Sequence, residues 1–63
     1  MYKLKDPNTL GIYNNSKISQ IIGVTRQYLS EIKRGKPCSK LVAYCITKFV
    51  DSNKEIEDFF ERV

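Results

Sequence analysis

The sequence predicts an all-α fold, four to five short helices in one compact domain spanning residues 1–63, with residues 1–5 as a short extended arm or edge strand. Apolar residues recur at three- and four-residue spacing rather than alternating, which is the helical period. Glycine and proline fall between those runs, at Pro7, Gly11, Gly23, Gly35 and Pro37, where they punctuate helices. Asp6, Asn14, Thr25 and Ser39 stand where N-caps are needed, and short oxygen-bearing side chains satisfy the free N–H groups of a first turn.

Asp6-Pro7 reads as a cap followed by proline at the first helical position, opening a short helix to about Tyr13 that Gly11 weakens. Asn14 caps a helix from Asn15 to Ile22, with Ile18, Ile21 and Ile22 on one face. Gly23 suits the left-handed conformation that ends a helix. Thr25 caps the next, about Arg26 to Arg34, and Gly35 stops it. Lys36-Pro37-Cys38 forms a loop, and Ser39 caps a helix from about Lys40 to Val50 whose apolar positions are Leu41, Val42, Cys45, Ile46 and Phe49. Asp51-Ser52-Asn53 breaks the chain, and residues 54–62 make a last helix. Ile56, Phe59, Phe60 and Val63 line it as one apolar stripe.

Length and composition narrow the function. A domain of 63 residues buries only about 60% of its unfolded surface and has little room for an enclosed substrate cavity. No apolar run approaches the roughly 20 residues of a membrane span. Met1-Tyr2-Lys3-Leu4-Lys5-Asp6-Pro7 shows no secretory signal, so a cytoplasmic location is expected. Cys38 and Cys45, with no histidine in the chain, read as buried free thiols of a reducing compartment rather than a disulfide or zinc site. No cofactor or metal is expected, and no nucleophile stands beside a plausible base, so an enzyme is not expected. Charge is uneven. Residues 1–50 hold nine Lys and Arg against Asp6 and Glu31, while residues 51–63 hold Lys54 and Arg62 against Asp51, Glu55, Glu57, Asp58 and Glu61. A basic body with an acidic end takes an orientation in a polyanion's field.

The stretch from Lys17 to Ile32 carries the functional signal. Two short helices meet at a three-residue turn, Gly23-Val24-Thr25, in which Gly23 permits positive φ and Val24 plugs the corner. Ser19 is small enough to let the backbones approach, and Leu29 and Ile32 seat the second helix on Ile18 and Ile22. That is a recipe for helices crossing at about 90–120°. At about 100° per residue, Arg26, Gln27, Ser30, Glu31 and Arg34 share the opposite arc, with Tyr28 inward of its edge. Arginine can grip guanine O6 and N7, glutamine the same edge of adenine, and glutamate can accept from cytosine N4.

Ser19, Gly23, Val24, Thr25, Leu29, Ser30, Ile32 and Arg34-Gly35 together make the segment 14–50 resemble the lambda-repressor/Cro-type helix-turn-helix family, also called the XRE family, with the motif itself at about 14–34. The resemblance implies a lambda-repressor-like DNA-binding domain of a small phage or mobile-element regulator, with base readout by Arg26, Gln27 and Glu31 and supporting contacts from Tyr28 and Ser30. It implies phosphate contacts from Asn15, Thr25, Lys33, Arg34, Lys36 and Lys40. Ser19 stands where the family usually has alanine, and Lys33 where an acidic residue is common. Lys33 is therefore expected to turn outward to phosphate.

A homodimer on a palindromic operator is the expected assembly; the stripe of Ile56, Phe59, Phe60 and Val63 is read either as a cap on the core or, in part, as the dimer interface. A rival reading keeps the helical fold but makes it a protein–protein module, such as an antirepressor, antitoxin or inhibitor, that docks through its acidic, phenylalanine-bearing end.

Overall fold

Two strands drawn from far-apart stretches of the chain close the helical body. The structure, a computed structural model, describes residues 1–63. Strand β1 (Tyr2–Leu4) pairs antiparallel with β2 (Phe60–Arg62), with Tyr2 opposite Arg62, Lys3 opposite Glu61 and Leu4 opposite Phe60. The ribbon extends by Val63 N–H to Met1 C=O at 3.0 Å and Lys5 N–H to Phe59 C=O at 2.9 Å. On its other edge Tyr2 exchanges both backbone bonds with Cys38, at 2.8 and 2.7 Å. The architecture is thus mostly helical with a two-stranded sheet, not all-α. Strand β1 falls within the extended arm or edge strand expected at residues 1–5; β2 replaces the end of an expected helix, because its partner lies at the far side of the sequence.

Between the strands run α1 (Asn15–Ile22), α2 (Arg26–Lys33), α3 (Lys40–Val50) and a single turn, α4 (Ile56–Phe59). The caps act as their side chains predict. Asn14 Oδ1 accepts from Ser16 N–H at 2.8 Å, Thr25 Oγ1 from Tyr28 N–H at 3.1 Å and Ser39 Oγ from Val42 N–H at 3.3 Å. Gly23 ends α1 at φ 86° and Gly35 follows α2 at φ 102°, both in the region where a side chain is strained. The expected helix to Tyr13 contracts to a 3-10 turn, Pro7–Thr9, capped by Asp6. Isolated turns through Leu10 then lead to Tyr13.

The last helix is also shorter than its apolar spacing implied. Glu55 N–H donates to Asp58 Oδ2 at 2.8 Å and starts α4, but Phe60 is already extended at φ −124°, ψ 152° and continues as β2. Pairing with β1 gives Phe60 a ladder partner and a buried position.

Leu4, Leu10, Ile18, Leu29, Ile32, Cys38, Ala43, Ile46, Ile56 and Phe60 form one core to which every element except the 3-10 turn contributes. Tyr13 packs edge-on against Phe49, centroids 5.0 Å apart. Buried Thr47 satisfies its hydroxyl by donating to Ala43 C=O at 2.8 Å. Two isoleucine and leucine assignments shift. Ile21 is 59% and Leu41 71% exposed, because α1 turns Ile18 inward and α3 turns Ala43, Ile46 and Thr47 inward. Leu41 lies about 200° around the helix from Ala43. Cys38 precedes α3 rather than lying on it, and Cys45 is only half-buried; both are free thiols.

Candidate nucleic-acid interface

Gly23 N–H donates to Ser19 C=O at 2.8 Å, so α1 ends in a closed left-handed cap. The Ser19 hydroxyl donates to the Val24 carbonyl across the turn. Serine therefore does what alanine cannot: it clamps the three-residue connection as well as leaving room for it. Val24 rests half-buried on the core, and Ile18, Leu29 and Ile32 are fully buried. Seating the inner face of α2 at about 1.5–3 kcal/mol per buried Leu or Ile fixes which residues it shows outside.

Those residues are Arg26, Gln27 and Arg34, all exposed, with Ser30 and Glu31 half-buried beside them. Tyr28 is half-buried and packs against the core, inward of the arc's edge as its position on the helix implies. Thr25 is exposed at the start of the helix; its oxygen caps Tyr28 N–H while its hydroxyl proton stays available.

On the flank toward α1, the polar groups are locked together. Lys33 Nζ donates to Asn15 Oδ1 at 2.6 Å and reaches Tyr13 C=O at 3.4 Å, and Asn15 Nδ2 donates to Ser30 Oγ at 3.1 Å. The outward turn expected of Lys33 does not occur. The start of α1 presents two oxygen acceptors on the side of α2 that carries Lys33, and the ammonium satisfies both. Asn15 consequently spends its side-chain amide on α2 rather than leaving it open for an anion, and Ser30 spends its hydroxyl as acceptor.

On the opposite flank Lys36 Nζ lies 2.9 Å from Glu31 Oε2. The hydrogen bond to Glu31, and then its charge, push the Lys36 ammonium's pKa above its ordinary value. Glu31 is therefore not a free acceptor, and the one carboxylate on the outer face of α2 is neutralised locally. Arg26, whose guanidinium makes only a 3.4 Å contact to Ser16 Oγ, stands exposed, as do Lys17, Arg34 and Lys40. Between the turn and α2 lies an open concavity of about 470 Å³, lined by Gly23, Val24, Thr25, Gln27, Tyr28 and Glu31.

The expected interface residues separate. Ile56 and Phe60 are 6% and 1% exposed and belong to the core, so they offer no surface to a second chain. Phe59 is half-buried, and Val63 is exposed beyond β2. The helical spacing of the four residues misleads because the chain changes from helix to strand at Phe60. Other exposed apolar side chains are Met1, Ile12, Ile21, Leu41 and Tyr44, of which Ile21 and Tyr44 line a groove between α1 and α3 together with Ile22, Cys45, Lys48 and Phe49.

No helix is long and apolar enough to cross a membrane. Compared with protein-family models, curated proteins and solved structures, the chain matches none.

Proposed function

We propose that the chain binds double-stranded DNA in a sequence-specific manner, with α2 lying in the major groove, and works as a transcriptional regulator of the lambda-repressor/Cro type. One observation carries the reading: α2 buries Leu29 and Ile32 completely while Arg26, Gln27 and Arg34 stand outside on the opposite arc. A helix so seated presents its N-terminal side chains to base edges, the mode of helix-turn-helix proteins. Arg26 suits guanine, Gln27 suits adenine, and Glu31 reaches a cytosine amine once Lys36 turns to phosphate. Thr25, Arg34, Lys36 and Lys40 hold the flanking backbone, and Lys17 joins them.

One copy measures 25 × 24 × 20 Å, shorter than the roughly 34 Å between successive major grooves on one side of the duplex. A homodimer whose two-fold axis sets two copies of α2 that distance apart would recognise a palindromic operator, and that is the proposed assembly. Selection from a random duplex pool at about 0.15 M salt tests the reading, and a palindromic consensus is the expected result. Arg26→Ala should then weaken binding by about 1–3 kcal/mol and relax base choice at one position per half-site. Recovery of no consensus, with weak sequence-blind association, would favour the protein–protein module instead.

A further inference from the structure

We infer that the concavity beside α2 reads the C5-methyl group of a pyrimidine, with Val24 and Tyr28 as the specificity-determining residues. The inference rests on the proposed DNA-binding function and names a chemical feature of the operator.

An apolar floor on a face otherwise made of Arg, Gln, Glu and Thr needs an apolar occupant. Val24 and Tyr28 supply that floor, and both are braced from behind by the core, so it does not collapse when exposed. Gln27 and Glu31, one turn apart on α2, stand on its rim. Gly23 leaves the approach clear, since a side chain's first carbon there would meet no atom within 4 Å. In the free chain the rim's carboxylate is held by Lys36 at 2.9 Å, and on DNA that lysine turns to phosphate and leaves Glu31 to the base edges. Within that groove the duplex offers hydrogen-bonding edges and a single kind of apolar projection, the methyl group at pyrimidine C5. Thymine always carries it, and cytosine carries it when methylated. Polar contacts from Gln27 and Glu31 to neighbouring base edges would hold the methyl group over Val24.

The test starts from the operator recovered by random-pool selection. Each thymine is replaced in turn by deoxyuridine, and each cytosine by 5-methylcytosine, and binding is measured for the full chain. If thymine is the source, deoxyuridine at one position per half-site weakens binding about fourfold, the scale of one buried carbon. If methylated cytosine is the source, binding strengthens about fourfold at one position instead. Val24→Ser removes both methyl groups, and in that variant, at a temperature where it stays folded, the sensitive position should respond less than twofold while the position read by Arg26 keeps its full discrimination. A consensus whose affinity ignores every methyl group overturns this inference and leaves DNA binding standing. Failure to select any consensus overturns both.

Discussion

Lys33 Nζ sits 2.6 Å from Asn15 Oδ1, tying the last turn of α2 to the first turn of α1. The lysine is half-buried, so its charge is partly screened, yet it holds the amide that in turn donates to Ser30. Lys33→Met keeps the apolar stem and removes the donor. The variant should lose about 1–2 kcal/mol of stability in urea unfolding, the cost of a charge-assisted bond at a half-exposed site. Specific DNA affinity should fall with it, but the dependence on salt should not change, because Lys33 faces no phosphate. Lys40→Ala should do the reverse: unaltered stability and a salt slope reduced by about one. A lower salt slope for Lys33→Met would return that ammonium to the DNA backbone.

The Glu31–Lys36 pair predicts a trade between affinity and choice. Glu31→Gln removes the only carboxylate on the outer face of α2 and frees Lys36 for phosphate. Binding to unrelated duplexes should tighten severalfold at low salt, and the margin between operator and unrelated DNA should narrow. Competition titrations with both duplexes measure the two quantities. Unchanged discrimination would remove Glu31 from the reading face.

Gly23 and Gly35 separate conformational strain from crowding. An added carbon at Gly23 would meet nothing, whereas at Gly35 it would come 3.2 Å from Lys3 Cε. Gly23→Ala should cost about 1 kcal/mol from positive φ alone, and Gly23→Asn less, because asparagine tolerates that region. Gly35→Ala should cost at least as much as Gly23→Ala, with flexible Lys3 yielding part of the contact. Thermal melts of the three variants rank them.

Burial pushes the Cys38 thiol up from its ordinary value, with the chain's amino terminus pulling partly the other way. The folded chain then keeps a proton that the unfolded chain releases once pH passes the ordinary thiol range, about 8.5. With more protons bound in the native state, stability must fall as pH rises through that window. Cys38→Ala should flatten the decline between about pH 8 and pH 10, compared by urea midpoints with the parent chain. In the native protein a thiol reagent should modify half-buried Cys45 first and Cys38 only on unfolding.

What the sequence discloses follows the range of the interactions involved. The caps at Asn14, Thr25 and Ser39 and the left-handed Gly23 act within four residues, and α1, α2 and α3 appear within about one residue of their expected bounds. The seating of Leu29 and Ile32 was legible from their period for the same reason. The extended start at Tyr2–Leu4 was legible, but its pairing with Phe60–Arg62 depends on residues from opposite sides of the chain meeting, and nothing local marks that partner. Ile56, Phe59, Phe60 and Val63 fit a helix perfectly well as a pattern; the ladder with β1 overrides it. Lys33 turns inward where its position on α2 implies an outward turn, because its acceptors, Asn15 Oδ1 and Tyr13 C=O, belong to another element. Ser19 looked merely small, and its bond to the Val24 carbonyl needs the turn in place before it exists.

The β1–β2 ribbon is expected to govern the lifetime of the native state. Lys5 bonds to the Glu57 carbonyl 52 residues away, and closing so long a loop carries an entropic cost that short-range helical contacts avoid. Helices form in under a microsecond or so, and the zipper between the two strands is expected to close after the folding barrier. Bonds made that late resist opening without hastening assembly. Weakening Leu4 or Phe60 should therefore shorten the folded state's half-life while the rate of refolding stays nearly constant.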